Sequence, residues 1–405
     1  MTDWQEVKLG DICDVRDGTH DTPKESSEGK YLVTSKHIKG GKIDLSSAYK
    51  ISLEDFNFVN QRSKVDQWDI LISMIGTVGE ICLVSEYPDF AIKNVGLIKT
   101  GNEYLAKYLY YYLKSPVAQN DILSRLRGTT QQYLPLGEIR DFPVYLPSLD
   151  MQKQIAGVLG ALDDKIELNN KINNNLEQQA QELFKSIYRS ENNGTLSDIV
   201  DLTESGSRPK GGALDHGVPS IGAENIEKFG IYDYSKEKFI SKEFYDQMKR
   251  GKVLSGDVLL YKDGAYTGKV SLALDGFPHK SCAVNEHVFI IRGKPGISSQ
   301  FFIYFCLDYE QNKNYLHTLA CSKAAQPGLN QSELLGLPIF IPSSDIVKIF
   351  TNNVSPLMHK IAANALENIK LSQLRDTLLP KLMSGEIDVS EVNISADKSS
   401  FREKE

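Results

Sequence analysis

From Ser148 to Arg189 the chain reads SLDMQKQIAGVLGALDDKIELNNKINNNLEQQAQELFKSIYR. Counted in sevens, one row of this stretch is Ile155, Leu162, Asn169, Leu176 and Leu183. The row four residues later is Leu159, Ile166, Asn173, Ala180 and Ile187. Apolar residues alternating at spacings of three and four mark one face of a long helix that seeks a second helix. The exceptions are Asn169 and Asn173, neighbours on the same stripe. Adding 195 to each number gives Phe350, Leu357, Asn364, Leu371 and Leu378, then Val354, Ile361, Asn368, Arg375 and Leu382. The helix is therefore present twice, asparagines included.

The segment preceding each helix is the other half of a duplication. Leu9-Gly10-Asp11-Ile12 returns as Leu196-Ser197-Asp198-Ile199. Asp69-Ile70-Leu71-Ile72 with Gly76 returns as Asp257-Val258-Leu259-Leu260 with Gly264, and Pro143-Val144-Tyr145-Leu146-Pro147-Ser148 as Pro338-Ile339-Phe340-Ile341-Pro342-Ser343. Short β-rich runs (Tyr31–Val33, Asp69–Ser73, Glu80–Val84, Val95–Ile98) between Gly, Asn and Pro signals predict a mixed α/β or mostly β domain. Helices are predicted over Tyr104–Leu113 and Pro116–Leu126. The prolines at 143 and 147 exclude helix before Ser148, which is placed to cap the first long helix. The reading is an α+β fold with five segments: 1–147 a first recognition domain, 148–189 a first long helix, 190–342 a second domain, 343–385 a second long helix, and 386–405 a disordered tail. The helices are expected to pack as an antiparallel coiled coil with a pseudo-two-fold centred between the asparagines, Asn169 opposite Asn368 and Asn173 opposite Asn364. Such polar layers fix register at some cost in stability. The competing reading has the asparagines facing solvent or a partner.

The chain has 405 residues, 41% hydrophobic and 24% charged, with a formal net charge of -7. No apolar run approaches the roughly 18 to 20 residues of a membrane span, and the first residues lack a secretory pattern, so a cytoplasmic protein without membrane contact is expected. Cys13, Cys82, Cys282, Cys306 and Cys321 form no Cys-x-x-Cys pair and are expected to be buried thiols. The acidic balance weighs against indiscriminate nucleic-acid binding but says nothing of local patches. No Gly-x-Gly-x-x-Gly, Asn-Pro-Pro or Asp-Pro-Pro, or Gly-x-x-x-x-Gly-Lys-Ser/Thr sequence occurs, and the seven histidines show no metal-ligand spacing. No catalytic residue, cofactor or metal is therefore expected.

The double order of domain and helix resembles the specificity subunit (S subunit, HsdS) of type I restriction-modification systems. The resemblance covers residues 1 to about 388. It is carried by the openings Trp4–Ile12 and Leu196–Ile199, by the glycines Gly76 and Gly79, Gly264 and Gly268 after the Asp-Ile/Val-Leu strand, and by Leu378-Leu379-Pro380-Lys381-Leu382-Met383-Ser384-Gly385-Glu386-Ile387. It implies that each domain reads one half of a bipartite, asymmetric site in double-stranded DNA. It further implies that the helices act as a spacer, that two methyltransferase subunits dock on them, and that restriction subunits join the complex. Methylation and ATP-driven cleavage would belong to those partners.

Base reading calls for Arg, Lys, Gln, Asn, Ser or Thr on loops or helix ends. The densest candidate is Arg125, Arg127, Thr129, Thr130, Gln131 and Gln132; its counterpart is Ser322, Lys323 and Gln326. Further candidates are Arg16, Thr19, His20, Lys24, Ser35 and Lys36 in the first domain, with Ser207, Arg208, Lys210, Lys262, Tyr266 and Thr267 in the second. The plain alternative for each is a solvated helix end or ordinary packing. At the level of the whole chain, the alternatives are a peptide-binding adaptor that dimerises through its helices, and a self-contained methyltransferase, which the missing cofactor loops disfavour.

Overall fold

Asp69-Ile70-Leu71-Ile72 shows no alternation of apolar and polar residues, so the strand it forms must be covered on both faces. The computed structural model describes residues 4–322 and 328–389 and shows why. Ile70 and Ile72 join a core with Tyr108, Leu109 and Ile155, while Leu71 joins another with Val33, Ile92 and Leu97. The strand Ile70–Ser73 lies inside a four-stranded antiparallel sheet in the order Asp14–Asp17, Val95–Lys99, Ile70–Ser73, Ile81–Leu83. Beside it, Lys30–Thr34 pairs antiparallel with Lys50–Ile51 and parallel with Phe90–Lys93. Gln5–Lys8 pairs with Pro143–Leu146. The helix Glu103–Lys114 starts where Asn102 Oδ1 accepts the Tyr104 and Leu105 amides, at 2.9 and 3.1 Å. A second helix covers Pro116–Ser124, begun by a Ser115 cap.

The chain divides by its contacts into two units, Met1–Asp164 with Ser372–Glu405, and Lys165–Leu371. The second unit repeats the topology of the first. Its four-stranded sheet runs Val200–Ser205, Val288–Gly293, Val258–Tyr261, Val270–Leu272, and its three-stranded sheet again mixes an antiparallel pair with a parallel one, Val218–Ile221 beside Ala283–Val284. Among the described residues no helix is long and apolar enough to cross a membrane.

The first long helix, α1, spans Leu149–Ile187, and the second, α2, Ser344–Met383. Ser148 Oγ accepts the Met151 amide at 3.3 Å, the cap its position calls for. At 1.5 Å per residue the 39 residues of α1 extend about 58 Å. Each long helix contributes residues to both units. In the first unit Ile155, Leu159, Leu379 and Leu382 enter the domain's own core; in the second, Ala180, Phe184, Phe350, Val354 and Ile361 do so. The helix α1 ends two residues short of the expected Arg189. Tyr188 is drawn into tertiary contacts, its hydroxyl accepting from Asn312 Nδ2 at 3.0 Å and its ring edge-on to Phe340.

Two further expectations are corrected. Cys321 is exposed at the end of the helix Glu310–Cys321, whereas the other four thiols are buried. The chain past α2 does not leave the core at once, because Ile387 and Val389 pack into the first unit. Residues 390–405, expected to be disordered, lie outside the described residues.

The repeated Asp-Ile/Val-Leu has a physical reason. Asp69 and Asp257 are each only 2% exposed. Each carboxylate accepts the amide three residues earlier, from Asp66 at 2.7 Å and Leu254 at 2.8 Å, and so closes the turn that launches the strand. Each also meets a cation from the neighbouring strand. In the first unit this is Lys99, 2.8 Å from Asp69 and from Asp66. Burial pushes the Asp69 carboxyl up against these bonds, while Lys99 ends above the ordinary lysine value because its two carboxylates outweigh its own burial. In the second unit Arg292 forks onto Asp257 at 2.6 and 2.7 Å. Replacing Arg292→Leu strands a buried carboxylate and is expected to cost about 3–5 kcal/mol, measured as the shift in urea unfolding of the full chain.

Candidate nucleic-acid interface

The register of each central sheet decides which loops meet. In the first unit Asp17 lies opposite Gly96 and Ser73 opposite Val95, so the chain leaves the sheet at Gly18 and Met74 and enters it from Asn94, all at one end. In the second unit Ser205 lies opposite Phe289 and Tyr261 opposite Val288, which brings Gly206, Lys262 and His287 to the corresponding end.

The densest sequence candidate sits on this end of the first unit. Arg127 and Tyr133 exchange both backbone hydrogen bonds at 2.9 Å, Tyr133 bridges to Ile75, and Leu134 N donates to Met74 O at 2.8 Å. A short loop is thereby pinned to the strand end with residues 128–132 all exposed. Gly128 turns it at φ +90°, where a Cβ would stand 2.5 Å from Gln131 O. Thr129, Thr130, Gln131 and Gln132 therefore project from a closed loop rather than a fraying helix end. The second unit uses the same fastening, Leu329 N donating to Lys262 O at 2.8 Å and Asp263 bridging to Gly328. Lys323 and Gln326 lie outside the described residues.

The two arginines differ. Arg125 is 23% exposed, bonded to Asp121 at 3.1 Å and Glu138 at 3.4 Å and stacked over Phe142. It builds the loop's base. Arg127 is 63% exposed and touches Glu138 Oε1 at 2.8 Å, leaving most of its guanidinium open.

The loop after the first strand and the segment at 35 converge on the turn at Asn94. His20 Nδ1 lies 2.9 Å from Asn94 Oδ1 and its Nε2 2.9 Å from Asp17, which also holds Arg62. Thr19 bridges to Lys93. Arg16 pairs with Asp14 and donates to Arg62 O. Lys24 and Lys36 are exposed. Ser35 is withdrawn as a DNA contact, because it is buried and its hydroxyl donates to Asn94 O at 3.0 Å.

In the second unit Arg208 is exposed and pairs with Glu286 at 2.8 Å, and Lys210 is exposed. Ser207 is half-buried beside them. Lys262 lies over the Phe289 ring, and Tyr266 is exposed with Lys269 over its ring. Thr267 is withdrawn, since it is buried and donates to Gly264 O at 2.7 Å. Ser322 is exposed, but its hydroxyl caps the preceding helix at Leu319 O. Glu138, Arg62, Glu286 and the His287–Asp263 pair at 2.8 Å are not evident from the sequence. Only the folded sheets bring them to their partners, and no local pattern marks them.

In the second unit the helices meet through the asparagines. Asn169 Nδ2 donates to Asn368 Oδ1 at 2.9 Å and to Glu367 Oε2 at 2.8 Å; Asn364 Nδ2 donates to Asn173 Oδ1 at 2.8 Å. Asn169 and Asn364 are each 1% exposed. The Asn169 amide holds the Glu367 carboxyl below its usual range. Among the described residues no group of three or more His, Cys, Asp or Glu is placed to hold a metal ion.

Residues 1–178 match the family described as type I restriction modification DNA specificity domain. The chain is 24% identical over 429 residues to the MjaIX type I restriction enzyme specificity subunit of Methanocaldococcus jannaschii, covering 96% of this chain and 95% of that protein. It is 24% identical over 471 residues to the HindI specificity subunit of Haemophilus influenzae, covering 96% of this chain and all of that one. In fold it resembles the crystal structure of the type I restriction-modification S subunit from M. genitalium, with a TM-score of 0.59 at 18% identity over 94% of this chain and 96% of that one.

The buried asparagine layer predicts opposite effects on stability and order. A double Asn173→Leu, Asn364→Leu variant is expected to unfold at a higher temperature, since polar core positions trade stability for register. It should also show broadened or doubled resonances from the helix pair, and a single set at unchanged linewidth would count against this role.

Proposed function

The chain belongs to the type I restriction-modification specificity subunits, and from that premise we propose that it reads a bipartite, asymmetric DNA site, one half with each recognition domain. The observation that carries this is the pairing of a repeated frame with unlike loops. In both units three segments meet at the corresponding end of an equivalent sheet. What they present differs: Arg127 with Thr129, Thr130, Gln131 and Gln132 in one, Arg208, Lys210 and Tyr266 in the other. Arg can address guanine and Gln adenine through paired hydrogen bonds, and lysines at the margins suit phosphates.

The helices α1 and α2 set the gap between the half-sites and carry the docking surface for two methyltransferase subunits, with restriction subunits joining through the complex. This chain supplies recognition, and methylation and cleavage lie with those partners. The asparagine bonds support the gap-setting role, because they reward a single alignment of the helices.

Sequencing of methylated adenines in the host tests the reading, which requires a two-part motif with a fixed gap. Arg127→Ala should relax one position of one half-site, a loss of about 1–3 kcal/mol in discrimination, and leave the other half-site unchanged; an unaltered motif would remove Arg127 from base reading. Deleting one heptad from each helix should shorten the gap, and an unaltered gap would refute the spacer role.

A further inference from the structure

The hairpin Ile226–Lys228 with Ile231–Tyr232 belongs to the second recognition domain, yet its tip lies on the asparagine layer of the helices. Ile226 is buried with Leu259 and Ile290 of the central sheet, and Lys269, beside the strand Val270–Leu272, pairs with Glu227 at 2.9 Å. That end of the hairpin is fixed to the sheet that carries the loops. At the other end Phe229 is 4% exposed and packs edge-on to Phe277 and Tyr304, with ring centres 5.8 and 6.0 Å apart. Gly230 turns the tip at φ +82°. A Cβ there would stand 2.8 Å from Ile361 Cγ2 and 3.7 Å from Asn173 Nδ2. That same Nδ2 donates to Ile361 O at 3.4 Å, and Asn173 Oδ1 accepts from Asn364. Lys228 adds an ion pair with Glu177, one turn further along α1, and a bond at 3.2 Å to Oδ1 of Asn174, the residue after Asn173.

The first unit has a hairpin in the corresponding place, Ile38–Lys39 with Lys42–Ile43. Its turn faces the domain's own helix instead: a Cβ at Gly41 would stand 2.7 Å from the Tyr110 hydroxyl and 3.6 Å from Lys114 Nζ. The second unit thus joins its reading sheet to both central helices through one rigid hairpin.

We propose that the hairpin Ile226–Tyr232 is a strut that fixes the pose of the second recognition domain on the asparagine layer, making Lys228 and Gly230 positioning residues for the gap between half-sites. The proposal rests on the bipartite reading above. The strut touches no base; it transmits the helix register to the domain that does. Loosening it lets the second domain tilt, so that DNA with a gap one base pair too long or too short is accepted.

The test uses the full chain assembled with its methyltransferase subunits, and duplexes carrying the mapped site with its native gap or a gap changed by one base pair. In the native complex the altered gaps should methylate far more slowly. Gly230→Ala and Lys228→Ala should each narrow that ratio, Gly230→Ala by roughly tenfold, within the range a disturbed recognition step produces. Lys228→Arg should restore it. The bases preferred in both half-sites should stay the same. Gap discrimination kept at the native ratio in Lys228→Ala, with its thermal unfolding measured alongside, overturns the strut, as does lowered thermal stability of Gly230→Ala with the native ratio intact. A native complex that ignores the gap altogether overturns the bipartite reading itself, a separate outcome.

Discussion

The hydrogen bonds between Asn173 and Asn364 and between Asn169 and Asn368 are the constraint on which the other arrangements rest. A buried amide without partners costs about 1–3 kcal/mol, and these side chains are placed so that each finds an amide across the seam. Sliding one helix by a heptad would set Asn173 against Leu357 or Leu371, losing its bond to Asn364 and burying its amide against an apolar side chain. Apolar seams tolerate such slips far better, so it is the polar layer that makes the alignment unique. The residues around it add to the effect: Glu367 accepts from Asn169, and Asn170 accepts from Asn368.

Equivalent heptad positions of the two long helices do not make the same contacts in the two units. Arg375 and Ala180 occupy equivalent heptad positions in the two helices. In the first unit Arg375 pairs with Asp163 at 2.6 Å, and Asp163 also accepts the Tyr111 hydroxyl at 2.8 Å. In the second, Ala180 is buried in an apolar core with Met358. An ion pair in one unit and methyl packing in the other give equivalent helix positions unlike partners, while the sheets of the two units keep one topology.

The frame was legible because it is governed by local rules. Heptad spacing gave the long helices, the proline-flanked segments gave their starts, and the repeated aspartate gave the strand that each sheet is built around. The asparagine pairing also came from counting, since an antiparallel pair with a pseudo-two-fold centred between the asparagines sets Asn169 opposite Asn368 and Asn173 opposite Asn364. The interface was only partly legible, for a physical reason. Whether a polar side chain is free depends on what the fold sets beside it: Ser35 meets Asn94 O and Arg125 meets Glu138, contacts made by residues 59 and 13 positions away. Thr267 was lost to its own 3-10 turn, where a short-range bond to Gly264 O buries it. Cys321 shows the converse, an apolar residue type left outside because it falls at a helix end.

Those carboxylates also resolve the tension between a net charge of -7 and a DNA-reading role. Two exposed arginines at the loop ends, Arg127 and Arg208, each rest on a partly exposed carboxylate, Glu138 and Glu286. Exposed ion pairs are worth about 0–1 kcal/mol, so exchanging such a carboxylate for a base edge costs little. Until then the pair limits the rotamers of a long side chain and cancels a charge that would draw it to any phosphate. The charge dominating non-specific affinity is thereby muted, while the directional hydrogen bonds that discriminate bases remain available. On the proposed function, the acidic balance favours selectivity over raw affinity, which suits a subunit whose partners act wherever it settles.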